Sequence, residues 1–380
     1  MENLFNYTLS SNGCGTFKIM FPGPFYLEYE NKQFGLCHVI EHCMCERVKE
    51  IEDELNMHGI IWNAATGSNH VYFYISGLVK NVRKMIDKFL DCILNYKISK
   101  DVFEREIKII KEEFYGYYKN IDEIFQFNFN VKKYNMYDPI GTLENIEKFT
   151  YEEMMEFKAK YFSKPMKICY SHPKGSKDLE LNQINTKVEF SEIEYNKKEF
   201  SFDDYNEVKP MSFEADENCN IIRFHTGVEI NSYLDQAYLC LFSKIIGDGL
   251  TSPLYKELRE KIGDVYFIHK SQMFVNKKQI AFVIDLTTST SKVYEVLDKF
   301  KVLINNIDKF INRKKFKIAF KNIQNQLKLN EYISIDYDND PEMTEYKKYF
   351  LNNTITYNNF MDFVKKFMKS EKHFIIDKDL

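Results

Sequence analysis

His38-Val39-Ile40-Glu41-His42 sets two imidazoles four residues apart, with a carboxylate three residues after the first. On a helix, positions i, i+3 and i+4 share one face. Two nitrogen donors and one carboxylate would then surround a single point. Zinc takes such a pair of imidazoles readily, and a third protein donor leaves its fourth position open to water. The order is the reverse of the commoner zinc-hydrolase motif, in which the Glu directly follows the first His. The competing reading is an amphipathic helix on which two histidines fall close together.

A two-histidine site needs one more donor. The stretch holding Glu104, Glu106, Glu112 and Glu113 is the best source. Glu106 and Glu113 are two turns apart and face the same way within about 20°. Glu113 could bind the metal while Glu106 hydrogen-bonds a ligating imidazole from behind, as such sites require. The alternative is a solvated acidic stripe paired with Arg105, Lys108 and Lys111.

The elements that would hold these groups follow from pattern. Residues 14–30 read as strand and loop, with a turn at Pro22-Gly23-Pro24. The histidine helix runs from Gly35 to about Lys49. A second helical piece spans Ile51 to about Met57, and Gly59 stops it. Ile60 to Ser76 reads as two strands joined around Gly67-Ser68-Asn69. Helical spacing returns from Lys80 to Asn95 and again from about Lys100 to Tyr118. A mainly helical tract then reaches Phe162, and Met166 to Tyr170 reads as a strand. The second half repeats this order. Ile221 to Ile230 is a strand, Leu234 to Ile246 a helix, and Ser252 to Lys261 a short helix. Val265 to Met273 and Gln279 to Leu286 form a hairpin, helices fill most of 291–369, and His373 to Ile376 ends the series. The duplication is inferred from element order alone. It predicts an α+β chain of two similar domains, each a mainly antiparallel sheet with helices packed on one face. Their bounds are 1–190 for the domain bearing the histidines, 191–217 for a charge-dense connector, and 218–380 for the second domain.

With 380 residues, each domain is large enough to bury its own core. The net charge of −4 argues against a dedicated nucleic-acid binder. No stretch reaches the 18 apolar residues of a membrane span. Met1-Glu2-Asn3-Leu4-Phe5 resembles neither a secretory signal nor a transit peptide, so the cytoplasm is the expected compartment.

The eight cysteines form no C-x-x-C pairs, so neither a zinc ribbon nor a disulfide framework is indicated. Cys37, Cys43 and Cys45 crowd the histidine helix. They read as small core residues, with a thiol-based metal buffer or redox sensor as the rival reading. Thiols so placed favour a reducing compartment.

Gly35-Leu36-Cys37-His38-Val39-Ile40-Glu41-His42, with Phe103-Glu104-Arg105-Glu106 and Glu112-Glu113 further on, resembles the pitrilysin family of zinc peptidases. Insulin-degrading enzyme and the mitochondrial processing peptidases belong to that family. Gly59-Ile60-Ile61-Trp62-Asn63-Ala64-Ala65-Thr66 with Val71-Tyr72-Phe73-Tyr74 resembles its active-site edge strand. Gly141-Thr142-Leu143-Glu144-Asn145-Ile146 resembles the segment after the glutamate helix. Ser252 to Tyr266 resembles the second-domain segment whose Arg and Tyr, seven apart, grip the substrate. The chain departs from the family at Pro22-Gly23-Pro24, in a slightly shorter interval to Glu113, and at Asp264-Val265 before the Tyr.

The resemblance implies one Zn²⁺ per chain held by His38, His42 and Glu113, with Glu106 orienting the ligands. Glu41 would be the general base. Arg259 and Tyr266 would hydrogen-bond the substrate carbonyl or developing oxyanion. Asn63 and Ala64 would offer main-chain pairing, so that a peptide binds as an added strand. The activity implied is a zinc metalloendopeptidase acting on peptides or short unfolded segments in an enclosed chamber, as in peptide processing. The rival is a non-catalytic or partner-dependent subunit of a heterodimeric complex. In the family the Arg–Tyr pair meeting a given zinc comes from the opposite half of a clam-shell. A homodimer, or a heterodimer with a related subunit, is therefore the expected partner state.

Overall fold

A computed structural model describes residues 3–9, 13–119, 121–134, 137–173, 175–191, 218–276, 278–333 and 346–377. The expected connector lies, apart from its first residue, outside the described residues. The chain divides into two compact units. One draws on Met1–Asn120, Met136–Lys198 and Asn330–Tyr337, the other on Ile121–Asn135, Glu199–Leu329 and Asp338–Leu380.

The first unit opens with β1 (Leu4–Leu9), β2 (Cys14–Pro22), α1 (Pro24–Asn31), α2 (Leu36–Lys49) and α3 (Glu52–Met57). The hairpin β3 (Ile61–Thr66) and β4 (His70–Leu78) follows, then α4 (Val79–Leu94) and α5 (Lys100–Tyr117). Helix α6 (Ile121–Tyr134) belongs to the other unit. The chain then returns as α7 (Leu143–Lys148), α8 (Tyr151–Tyr161) and β5 (Lys167–Pro173). The sheet order is β1-β5-β2-β4-β3. All its pairs are antiparallel except β1 with β5.

Alternation along the central strand β2 builds the core. Phe17 meets Phe89 of α4 edge to face at 6.5 Å, and Phe21 stacks on Phe162 at 5.3 Å. On the opposite face Thr16 shares a 2.8 Å hydrogen bond with Ser76, and the Lys18 ammonium lies 4.4 Å over the Tyr72 ring. Helix α2 buries Cys37, Ile40, Cys43 and Met44 and packs on α4, α5 and β3. The start of α5 is set by Ser99, whose hydroxyl accepts the Val102 N–H.

Two elements of this unit differ from the pattern reading. Residues 24–31, read as loop, form α1. Pro24 occupies the first helical turn, where its fixed φ and missing N–H cost nothing. The turn signal of Pro22-Gly23-Pro24 marks the step from strand to helix. Strand β1 pairs in parallel with β5, more than 150 residues away. A short edge strand with a distant parallel partner has no local turn chemistry to announce it.

The second unit contains α6, β6 (Cys219–Glu229), α9 (Tyr233–Gly247), a π-helical turn Tyr255–Glu260, β7 (Val265–Asn276) and β8 (Gln279–Ser289). It continues with α10 (Val293–Ile304), α11 (Arg313–Ile333), α12 (Lys347–Leu351), α13 (Tyr357–Lys369) and β9 (His373–Ile376). Its sheet, in the order β7-β8-β6-β9, is antiparallel throughout. Phe224 of β6 meets Phe300 of α10, and Phe242 of α9 meets Phe367 of α13 at 4.3 Å. The alternate residue Arg223 lies between the rings of Phe125 and Phe129 of α6, 4.6 Å from each, and pairs with Asp285 at 2.7 Å. Both units are α+β, built from strand, helix, hairpin, helices and strand.

Candidate metal centre

Three elements of the first unit converge on one cleft of about 640 Å³. Helix α2 contributes His38, Glu41, His42, Cys45 and Lys49. Helix α5 contributes Glu106, Glu113 and Tyr117, and β3 contributes Asn63 to Thr66. A turn at Asp138–Ile140 completes the wall. The i, i+3, i+4 geometry of α2 brings the two imidazoles edge to face with centroids 4.6 Å apart.

Glu113 approaches the Nε2 atoms of both histidines with one oxygen. Glu113 Oε2 lies 3.4 Å from His42 Nε2 and 3.9 Å from His38 Nε2. Donors about 2.0–2.2 Å from a tetrahedral zinc stand roughly 3.3–3.6 Å from each other, so the His42–Glu113 separation fits that range and the His38–Glu113 separation is longer. Among the described residues, the only group of three His, Cys, Asp or Glu side chains with donors within 4.8 Å of one another is His38, Glu41 and His42. Glu41 Oε2 is 3.9 Å from His38 Nε2 but also accepts the Thr66 hydroxyl, while its Oε1 accepts the Cys45 thiol. Both its oxygens are thus engaged, whereas Glu113 reaches both imidazoles through one oxygen.

Glu106 sits in the buried stripe of α5 with Phe103, Ile110 and Phe114. Its Oε2 is 3.2 Å from His42 Nδ1, and its Oε1 accepts from Arg105. That contact leaves His42 Nε2 for the cleft. Burial raises the Glu106 pKa, but the hydrogen bonds from His42 and Arg105 outweigh it and hold the group ionised. Burial also lowers His42, yet Glu106, Glu41 and Glu113 together bring it net upward. His38 falls to about 3 through burial and the neighbouring His42. Among the described residues its Nδ1, which is buried, has no hydrogen-bond partner. Burial raises Glu41.

Asn63 and Ala64 lie on β3, an edge strand of the first sheet. The Asn63 carboxamide accepts the Ala64 N–H at 2.9 Å. Arg259 and Tyr266 lie in the second unit. Arg259 is exposed on the π-helical turn, its guanidinium 5.3 Å from the Tyr255 ring. Tyr266 is exposed on the edge strand β7 and donates to Asp264 Oδ1 at 3.0 Å. Cys37 and Cys43 are buried, and burial holds both thiols well above their ordinary range. Cys45 faces Glu41 and is raised by burial and by that carboxylate. Pattern reading missed Thr66, Tyr117 and Asp138–Ile140 in the cleft. Thr66 had a usable signal, since it lies two positions beyond Ala64 on the same strand face.

Comparison with known proteins fits this geometry. Residues 28–139 match the sequence profile described as Insulinase (Peptidase family M16). A protein of Rickettsia bellii named an uncharacterized zinc protease is 25% identical over 254 residues, 63% of this chain. The match spans only 60% of that relative's own length. A protease from Helicobacter pylori shares the fold, with a TM-score of 0.71, 16% identity, and coverage of 98% of this chain and 96% of that one. A peptidase M16 inactive domain from Pseudomonas fluorescens also shares it, with a TM-score of 0.68, 13% identity, and coverage of 98% and 94%. Among the described residues no helix is long and apolar enough to cross a membrane. The match to the insulinase family of peptidases, M16, falls on the segment that carries His38, Glu41, His42, Glu106 and Glu113.

Proposed function

We propose that the protein is a zinc metalloendopeptidase acting on peptides or short unfolded segments. The observation that carries this reading is the shared approach of Glu113 Oε2 to both His38 Nε2 and His42 Nε2, with Glu106 behind His42. His38, His42 and Glu113 would hold one zinc ion per chain. Bound there, zinc supplies Lewis-acid polarisation of a carbonyl and an acidified water.

The chain's own groups do the remaining work. Glu41, buried beside the histidines, receives the proton of the attacking water and passes it to the departing amine. Thr66 holds Glu41 Oε2 in place. Glu106 fixes the His42 ring and tautomer. Asn63 and Ala64 receive the substrate as an added strand, with the Asn63 carboxamide releasing the Ala64 N–H to a peptide carbonyl. Arg259 and Tyr266 steady the substrate carbonyl or oxyanion. An enclosed chamber, a homodimer or a heterodimer with a related subunit, and a cytoplasmic peptide-processing role complete the reading. The rival, a non-catalytic subunit, draws on the inactive M16 domain that shares the fold. The presence of His38, Glu41, His42 and Glu113 together in one cleft favours the enzyme.

The test is zinc content and digestion of an unfolded peptide by the purified chain, alone and after chelation. Stoichiometric zinc with chelator-sensitive cleavage is expected. Bound zinc without cleavage, alone or with a related subunit, would favour the rival. Loss of zinc on thiol blocking would favour a cysteine site.

A further inference from the structure

Helix α2, which carries both histidines, begins without a cap of its own. Its N-cap position is Gly35, in left-handed backbone with φ 99°, and no side chain there accepts from the first turn. A helix leaves its first N–H groups unpaired, and the N-cap side chain normally accepts one of them. Here the acceptors come from another helix. Glu28 of α1 accepts the Gly35 N–H on Oε2 at 2.8 Å and the Cys37 N–H on Oε1 at 2.7 Å. The negative group also faces the positive end of the α2 dipole.

Glu28 is 2% exposed, and no cation pairs with it among the described residues. Burying an unpaired carboxylate is costly. Burial pushes its pKa up to about 7, although hydrogen bonds from the Gly35 and Cys37 backbone and the Cys37 thiol pull the other way. The titratable groups facing it are the Cys37 thiol on α2 and the Tyr29 phenol on its own helix, both driven upward by burial. A neutral side chain would serve stability better. What a carboxylate does, and a carboxamide does not, is offer a separate acceptor oxygen to each of two backbone N–H groups.

The two histidines differ in what aims them. His42 is held through its own ring by Glu106. His38 Nδ1 has no partner among the described residues, so the direction of its Nε2 rests on the backbone of the α2 first turn. We propose that Glu28, which lies outside the cleft and touches neither imidazole, is the positioning residue of the histidine helix. Its carboxylate fixes residues 35–38 and thereby the aim of His38. When the carboxylate is protonated, one oxygen carries a hydrogen, the double acceptance is lost, and the first turn loosens.

This inference rests on the metal reading of the cleft, and the experiment separates the two. E28Q keeps one acceptor and turns an NH₂ group against the second N–H. Zinc affinity, measured by competition with a chromophoric chelator, should be about 10- to 100-fold weaker than wild type at pH 8, the range typical for a residue acting behind the ligands. At pH 6 the wild-type carboxyl is itself mostly protonated, and the two affinities should converge. In metal-free protein at pH 8, amide exchange over residues 35–39 should be faster in E28Q, while the thermal midpoint holds or rises. Equal affinity and equal exchange at pH 8 would overturn the proposal, as would an affinity ratio unchanged between pH 8 and pH 6. If the wild type takes up no zinc, the metal reading fails and amide exchange alone decides the role of Glu28. If E28Q does not fold, wild-type exchange at pH 6 and pH 8, corrected for intrinsic rates, decides it. Loosening of residues 35–39 at pH 6 supports the proposal, and unchanged protection overturns it.

Discussion

His42 turns its Nδ1 to the Glu106 carboxylate at 3.2 Å, and this contact decides which nitrogen faces the cleft. An imidazole anchored on one side presents the other nitrogen as a lone-pair donor. Glu106→Gln should weaken zinc binding by about 10- to 100-fold while leaving the fold intact. Chelator competition together with circular dichroism would check this. Unaltered affinity would remove Glu106 from the role.

Glu41 offers a separate test, because it stands beside the histidines with both oxygens engaged by Thr66 and Cys45. Glu41→Gln should leave zinc content unchanged and lower kcat at least about 100-fold, the low end of what a general base contributes. Substantial residual turnover in a zinc-loaded variant would refute the assignment.

Gly141 occupies left-handed backbone at φ 85°, and a Cβ there would stand 2.4 Å from the Phe34 carbonyl oxygen and 2.5 Å from Gly35 Cα. Neither neighbour can yield, since both belong to the chain entering α2. Gly141→Ala should destabilise the protein by about 2–3 kcal/mol in a denaturant melt. Gly116, inside α5 with nothing within 4 Å of its added Cβ, is the control. Gly116→Ala should be neutral or stabilising by up to about 1 kcal/mol. Similar behaviour of the two variants would count against the tight Gly35–Gly141 approach.

Glu28 sets a slope in stability against pH. Its pKa rises from 4.5 in the ordinary state to about 7 in the fold. Between those values the folded protein binds more protons than the unfolded chain. The contribution of this group therefore falls as pH climbs from about 4.5 to about 7 and is flat above. The full change is on the order of 3 kcal/mol. Subtracting the E28Q curve from the wild-type curve should isolate that slope, and a difference independent of pH would show that Glu28 is not buried as an acid.

That His38, Glu41, His42, Glu106 and Glu113 share one cleft was legible because spacing on a helix is a local property. His38, Glu41 and His42 follow from one turn, and Glu106 with Glu113 from two turns of another helix. The sheet hairpins at residues 61–78 and 265–289 announced themselves through alternation and turn residues. What escaped was nonlocal or ambiguous. Strand β1 has a parallel partner far along the chain, and α1 hides behind a proline pair that reads equally well as a turn. The Glu28 cap was invisible because it depends on how α1 folds back on α2. Tyr117 and Asp138 reach the cleft from either side of α6, an arrangement that no periodicity encodes.

Helix α6 has a practical consequence for anyone dividing this polypeptide. The gene runs through α6 long before it reaches β6, yet the rings of Phe125 and Phe129 sandwich the guanidinium of Arg223. A fragment starting at residue 218 would leave that cation and its Asp285 partner without their aromatic cover. Separate expression of the C-terminal portion therefore calls for a grafted copy of Ile121–Tyr134, or for an apolar replacement of the Arg223–Asp285 pair.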